Sequence, residues 1–148
     1  MRRHGFTLIA LLIVLIVTGV LTALAYPALQ QYTIRARRNQ AEATMQQLMQ
    51  QQERYYTQNN SYIAFSSSIS DPEAGLFQWW SGSTAPLSAY ELEGKACDGQ
   101  TIADCIQLIA TPGTGKVDAQ FRDDDCGKLT LTSAGLRLSS GPAPRCWP

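Results

Sequence analysis

Four cysteines carry the most definite chemistry in this sequence: Cys97, Cys105, Cys126 and Cys146. No two of them form a Cys-x-x-Cys pair, and the single histidine, His4, is close to the N-terminus, so a zinc site is disfavoured. If the domain is exported, an even number of cysteines favours disulfide bonds instead. Four cysteines allow three pairings, and their number alone does not choose among them.

The other reactive side chains do not form the sets that catalysis needs. With one histidine, neither a Ser-His-Asp nor a Cys-His arrangement can be built. The triplet Asp123-Asp124-Asp125 lacks the spaced ligands and the glycine of a calcium loop, and we interpret it as a solvated turn. Thr114-Gly115-Lys116 lacks the glycine spacing of a phosphate loop. We therefore predict a protein that is not an enzyme and that uses no metal or cofactor.

Aromatic and basic residues could instead mediate contacts with a partner. Trp79 and Trp80 are adjacent in a stretch rich in Ser, Gly and Pro, and we expect one of them to face outward. In the tail, Arg145 and Trp147 flank the last cysteine and could stack on or pair with nucleic acid. From Tyr55 onward, however, ten acidic residues face six basic ones. This net charge of −4 disfavours nucleic acid as the partner.

A long apolar segment must position these groups relative to a membrane. No residue from Phe6 to Leu29 is charged, and about twenty helical residues at about 1.5 Å each span a bilayer core. We predict a transmembrane segment over 6–29. Basic residues occur on both sides of it, so the flanking-charge rule does not fix its orientation; they are Arg2, Arg3, Arg35, Arg37 and Arg38. The alternative is a secretory signal peptide cleaved after Ala23-Leu24-Ala25, although the apolar run is long for one.

The residues after the apolar segment are arranged as an amphipathic helix. A stripe interrupted only by its glutamine is formed by Ile34, Ala41, Met45, Leu48, Gln52 and Tyr55. It predicts that the helix continues over 30–60 and ends near Asn59-Asn60-Ser61. Pro27 removes one backbone donor and is expected to bend or loosen the helix.

Residues 61–148 are expected to form an α+β headpiece. Short strands are predicted at 89–92, 105–111 and 129–131, bounded by Gly94, Pro112-Gly113 and Gly135. Three or four antiparallel strands over the helical stripe would complete one domain. The predicted fold is thus a long N-terminal helix, transmembrane and then amphipathic, packed on a small antiparallel sheet.

The sequence resembles a type IV pilin over nearly its whole length. The features that carry the resemblance are a leader ending in Gly5, the following Phe6-Thr7-Leu8-Ile9, the apolar helix with Pro27, and the stretch QQERYYTQNNSY. The later CGKLTLTSAGLR and the final Cys146-Trp147 are similar to PilE-type minor pilins. The resemblance implies that a prepilin peptidase removes residues 1–5 and N-methylates Phe6.

The resemblance also implies a location and a set of partners. The chain would reside in the bacterial inner membrane with a periplasmic headpiece, and then pack with major and minor pilins in an extracellular pilus. Phe6, Ala10 and Pro27 would lie in the packed part of the filament. The pairing Cys126–Cys146 is favoured because similar pilins carry a disulfide there, which leaves Cys97–Cys105 to close a short loop.

Ala10 departs from the pilin pattern, in which the fifth mature position is usually glutamate. A carboxylate in hydrocarbon costs several kcal/mol unless it is paired, so alanine eases membrane residence and makes docking less directed. By analogy, this favours a priming or capping position in the pilus. The predicted function is that of a minor pilin supporting pilus biogenesis, adhesion or twitching motility. The alternatives are a DNA-binding minor pilin for natural transformation and a pseudopilin of type II secretion.

Overall fold

The structure is a computed structural model that describes residues 7–148 and, at Pro27, the backbone alone. The chain forms two compact units, Met1–Ala36 and Arg37–Pro148. The first is described here from Thr7 onward, so the predicted processing residues Gly5 and Phe6 lie outside the described residues.

One helix, α1, runs from Leu8 to Asn59 over 52 residues. From Leu8 to Leu29 its leucine, isoleucine and valine side chains are exposed, and the helix is long and apolar enough to cross a membrane. The helix continues through Pro27, where the ring removes the donor that would bond the carbonyl of Ala23. It ends as predicted, and Asn60 follows with φ 53°, a left-handed conformation that asparagine tolerates.

The second unit contains a four-stranded antiparallel sheet in the order β1-β2-β3-β4. The strands are β1 (Tyr90–Ala96), β2 (Ile106–Pro112), β3 (Leu129–Thr132) and β4 (Arg137–Ser139). Each strand pairs with the next along the chain, and the register places Leu92 opposite Ala110 and Leu108 opposite Leu131. Two short 3-10 helices, Ala74–Leu76 and Ala85–Leu87, lie between α1 and β1.

The prediction that Gly94 bounds the first strand is wrong. Gly94 lies within β1, opposite Leu108, and it also exchanges backbone hydrogen bonds of 3.0 and 2.9 Å with Phe65. The ring of Phe65 covers its α-carbon, since a Cβ placed there would lie 2.5 Å from the ring. Glycine is therefore required by this close approach and not by a turn.

The core of the second unit lies between one face of α1 and one face of the sheet. Ala41, Met45 and Leu48 are buried on the helix, as the stripe predicts. The sheet contributes alternate buried side chains: Tyr90, Leu92, Ile106, Leu108, Leu129 and Leu131. This arrangement confirms the predicted α+β fold.

Candidate functional site: a buried ion pair, a backbone clamp and a disulfide-bonded tail

A buried ion pair joins α1 to the segment before β3. Arg38 donates from Nε and Nη2 to the two carboxylate oxygens of Asp123, at 2.7 and 2.6 Å. The hydroxyl of Tyr90 donates to the same carboxylate, and the backbone N–H of Cys126 donates to it at 3.2 Å. The Asp123 side chain is fully buried and that of Arg38 is 9% exposed. One carboxylate thus ties the helix, β1 and the cysteine turn together.

Hydrogen bonding keeps this carboxylate ionised. Burial alone would raise the pKa of Asp123, but the donors from Arg38 and Tyr90 outweigh it and lower the pKa below its usual range. The same hydrogen bond raises the pKa of Arg38, while burial raises the pKa of the Tyr90 phenol. At neutral pH the group is therefore a charged pair with a phenol donor.

Sequence reasoning missed this network because it treated Asp123 as part of a solvated turn. That interpretation fits Asp124 and Asp125, which are exposed, but Asp123 is buried. Arg38 was counted only as a flanking charge. The signal that could have located it is spacing, since Arg38 precedes Ala41 and Met45 by three and seven residues and so shares their face.

Gln52 forms a second polar contact between α1 and the rest of the headpiece, farther along the same helix face. Its side chain is completely buried, and its Nε2 donates to the carbonyl of Ile63 at 2.9 Å. The backbone N–H of Ile63 donates back to its Oε1 at 3.1 Å. The polar residue that interrupts the apolar stripe therefore satisfies a peptide unit of the returning chain.

A second ion pair, more exposed than that of Arg38 and Asp123, lies at the start of the second unit. Arg37 donates to Asp118 at 2.9 Å, and its guanidinium lies 5.6 Å from the ring centre of Phe121. The side chains are 37% and 31% exposed, so solvent screens the pair and its contribution to stability is small. The main consequence of the pair is that the carboxylate of Asp118 lies beside the positive charge of Arg37.

Both disulfides lie in the headpiece. Cys97 is bonded to Cys105 and Cys126 to Cys146, which are the pairs that the sequence analysis favours. The first closes the turn between β1 and β2. The second holds the tail beside the turn that contains Asp123.

The tail is hydrogen-bonded to β4 through its tryptophan. The indole of Trp147 donates to the carbonyl of Leu138 at 3.0 Å, and the Arg137 guanidinium lies 5.6 Å from the indole centre. Trp147 is half-buried by these contacts, whereas Arg145 is exposed. From Cys126 to the C-terminus there are three basic residues and no acidic ones. The segment from Cys126 onward thus carries a sequence charge of +3, but it lies against the acidic triplet, since the backbone N–H of Ala143 donates to the carbonyl of Asp125 at 3.0 Å.

The other two predicted contact residues are apart from the tail in the sequence and lie beside β1. Trp79 and Trp80 form an edge-to-face pair with ring centres 5.1 Å apart. Trp80 pairs with Glu91 by an isolated bridge, and the carbonyl of Trp79 accepts from Leu92 at 2.8 Å. Both side chains are half-buried, so neither lies wholly in the core or wholly in solvent.

Comparison with known proteins identifies two matching sequence families. Residues 27–130 match a family model described as type IV minor pilin ComP, DNA uptake sequence receptor. Residues 1–26 match the prokaryotic N-terminal methylation motif. The two matches together cover the chain up to β3.

One curated relative and two solved structures are also similar. The chain is 32% identical over 75 residues to the type IV major pilin protein PilA of Myxococcus xanthus (strain DK1622), covering 50% of this chain and 34% of that protein. The match thus spans about a third of that relative's length. The Neisseria meningitidis non-core minor pilin PilV is similar in structure with a TM-score of 0.50 and 18% identity, over 78% of this chain and 94% of that one. A type IV pilin from Shewanella oneidensis has a TM-score of 0.47 and 23% identity, over 78% and 98%.

Proposed function

The chain belongs to the type IV pilin family, and from this premise we propose that it is a minor pilin, a non-enzymatic subunit of a type IV pilus. The observation that carries the proposal is the exposed, uncharged first half of α1, continuous in sequence with a helix fastened to a disulfide-bonded headpiece. An uncharged helical surface can lie first in lipid and then against the helices of other pilins.

The proposed processing makes the apolar helix a permanent part of the mature chain. A prepilin peptidase cuts after Gly5 and N-methylates Phe6, and the match of residues 1–26 to the methylation motif supports this. A signal peptidase cutting after Ala25 would instead discard most of that helix. The two routes give mature chains with different N-termini.

The disulfides support a periplasmic headpiece and, with it, a cytoplasmic leader. Cys97 is bonded to Cys105 and Cys126 to Cys146, and disulfides persist in oxidising compartments outside the cytoplasm. Because the apolar segment separates the headpiece from the leader, Arg2 and Arg3 then lie on the cytoplasmic side, where flanking basic residues are favoured.

Ala10 supports a place at the end of the filament. Without a carboxylate at this position, the helix offers no negative charge to attract the N-terminal amine of a neighbouring subunit. Incorporation of the Ala10→Glu variant along the shaft should therefore exceed that of the natural chain. Unchanged abundance in sheared filaments would contradict a priming or capping position.

Intact mass and N-terminal sequencing of the chain from membranes of its host test the proposal. The expected mature chain begins with N-methylated Phe6 and is recovered in the sheared pilus fraction. Gly5→Val should leave the leader in place, whereas Ala25→Leu, which blocks only signal peptidase, should change nothing. A chain that begins at Tyr26, and that Ala25→Leu prevents from forming, would overturn the proposal.

A DNA-uptake receptor is the second candidate, favoured by the description of the matching family model. Three exposed basic residues lie from Cys126 onward: Lys128 before β3, Arg137 in β4 and Arg145 in the tail. Together with the Arg137–Trp147 stack they offer both phosphate contacts and an aromatic surface. The acidic remainder of the headpiece limits such binding to this region.

A mobility-shift titration with duplex DNA at low salt tests this second candidate. Binding that weakens as salt is added, and that falls in the double variant Lys128→Ala/Arg145→Ala, supports a receptor. Lys95→Ala is the matched control, since Lys95 is exposed on β1 and outside the tail. If no binding occurs at micromolar protein, the receptor is excluded and the structural subunit remains the only candidate of the two.

A further inference from the structure

A cleft of about 350 Å³ opens on the segment between α1 and β1. Its walls include Ser66, Ser67, Leu76, Gln78, Trp79 and Trp80, and none of the described residues that line it is charged. The volume is at the lower end of the range for pockets that hold small molecules. Neither the proposed membrane and filament role nor the basic tail uses this cleft.

The polar atoms around the cleft are held in place, and some of their capacity is unused. The Nε2 of Gln78 donates to the carbonyls of Trp80 and Gly82, at 2.6 and 3.1 Å, which fixes the amide. The Nε1 of Trp80 is buried and has no acceptor within the described part of the chain. A buried donor without an acceptor is unfavourable, and because the atom is covered, an added oxygen reaches it only if the indole rotates.

The apolar part of the cleft is aromatic. The indoles of Trp79 and Trp80 meet at 81°, and Phe77 is buried beside them. Aromatic side chains of this kind present a flat apolar face together with a polar N–H. The cleft therefore offers a stacking surface, an amide and the hydroxyls of Ser66 and Ser67, of which that of Ser67 already donates to the carboxylate of Glu91 at 2.6 Å.

We propose that this cleft binds a neutral pyranose, as a free sugar or as the end of a glycan. The C–H face of a pyranose packs on an indole, and its hydroxyls can meet both donors and acceptors. Phosphates and carboxylates would lack a cation in the walls. An extended peptide would need a free strand edge, but the outer edge of β1 is already bridged by Phe65 and Trp80.

The test is an indole-NMR titration of the full chain, ¹⁵N-labelled at tryptophan, in phospholipid nanodiscs. Nanodiscs avoid maltoside detergents, which would compete for the cleft. N-acetylglucosamine should shift the Trp79 and Trp80 signals saturably, with a Kd of the order of 1 mM, and leave Trp147 unmoved. Because the Trp80 Nε1 is covered in the structure, its signal should also report a small rotation of the indole. Sorbitol has hydroxyls without a pyranose face and should have no effect.

Two variants separate the stacking surface from the hydrogen bond. Trp80→Phe keeps a ring and removes the donor, so the Kd should rise about 3- to 10-fold. Trp79→Ala should abolish the shifts, while Trp147→Phe should bind as the natural chain does. An unchanged Trp147 signal in the first two variants shows that they are folded. The proposal is overturned if Trp79 and Trp80 do not shift, if all three indoles shift together, or if sorbitol acts like the sugar.

Discussion

Replacing Asp123 by alanine should lower the free energy of unfolding of the second unit by about 3–5 kcal/mol. The carboxylate accepts from both nitrogens of Arg38 at 2.6–2.7 Å, from the hydroxyl of Tyr90 and from the backbone of Cys126. Its removal leaves a buried guanidinium without its partner. The loss should exceed that of an ordinary hydrogen bond, about 1 kcal/mol, because a charge is left uncompensated.

A double-mutant cycle measures how much of this loss comes from the pair itself. Arg38→Met keeps an unbranched apolar stem and removes the guanidinium with its charge, so Arg38→Met/Asp123→Ala should be less destabilised than the sum of the single variants. The expected coupling is about 1–3 kcal/mol. Urea unfolding of the full chain in detergent micelles, followed by tryptophan fluorescence, supplies the four values.

Asp124→Ala is the matched control, because Asp124 is the next residue and its side chain is exposed. It should change stability by no more than about 0.5 kcal/mol. If Asp123→Ala costs as little as this control, or if the two single variants are additive, the assignment of Asp123 as the central acceptor is wrong.

The pH dependence gives the same prediction a second readout. The pKa of Asp123 is lowered in the folded chain, because the hydrogen bonds from Arg38 and Tyr90 outweigh burial. The folded state therefore binds a proton there less readily than the unfolded state, whose aspartate pKa is about 3.9. The stabilisation is fully present above that pH and is lost as the pH falls through the folded pKa. The stability gap between the natural chain and Asp123→Ala should accordingly narrow below about pH 4 and stay constant near neutrality.

Three further substitutions, at Gln52, at Gly94 and in the Cys126–Cys146 disulfide, test other stabilising contacts by the same unfolding assay. Gln52→Ala should cost about 2–3 kcal/mol because it leaves a peptide N–H and carbonyl unpaired, whereas the exposed Gln51→Ala should be near neutral. Gly94→Ala should lower the free energy of unfolding by about 1–3 kcal/mol because its Cβ would meet the packed ring of Phe65. Gly75→Ala is the control, since a Cβ there meets open space and should not be destabilising in this way. Equal effects of the two substitutions would contradict the close approach of Phe65 to Gly94. Removing the Cys126–Cys146 bond should cost about 3 kcal/mol for its separation of 20 residues, and a serine variant that melts like the natural chain would exclude that role.

The sequence predicts the architecture well where periodicity is strong. The end of α1, the buried stripe of Ala41, Met45 and Leu48, and the first three strands are recovered because alternation and helical spacing follow directly from burial. The strand β4 was not located. Leu136 and Leu138 on either side of Arg137 remain exposed, so this edge strand carries no pattern of burial.

The polar contacts could not be predicted, because they depend on which chain segments meet. Asp123 and Asp124 are the same residue type in adjacent positions, yet one is buried in an ion pair and the other is exposed. Gln52 breaks the apolar pattern only because its partner, the backbone of Ile63, is invisible to any analysis of side-chain types. The need for glycine at position 94 could not be predicted either, because it arises from the ring of Phe65, which is distant in the sequence.

The placement of these polar contacts suggests why a filament subunit would retain them. Arg38 and Gln52 stand at the two ends of the buried stripe on α1, fourteen residues and about 21 Å apart. Between Arg38 and Gln52 the helix contacts the headpiece through apolar side chains. Because hydrophobic contacts are non-directional, they alone would not prevent the helix from shifting by one turn. The paired charges and the peptide clamp each have one register in which they are satisfied, so a slip would leave a buried charge and a peptide group unpaired. Within the second unit, this fixed register therefore holds the headpiece in one position on residues 37–59 of α1.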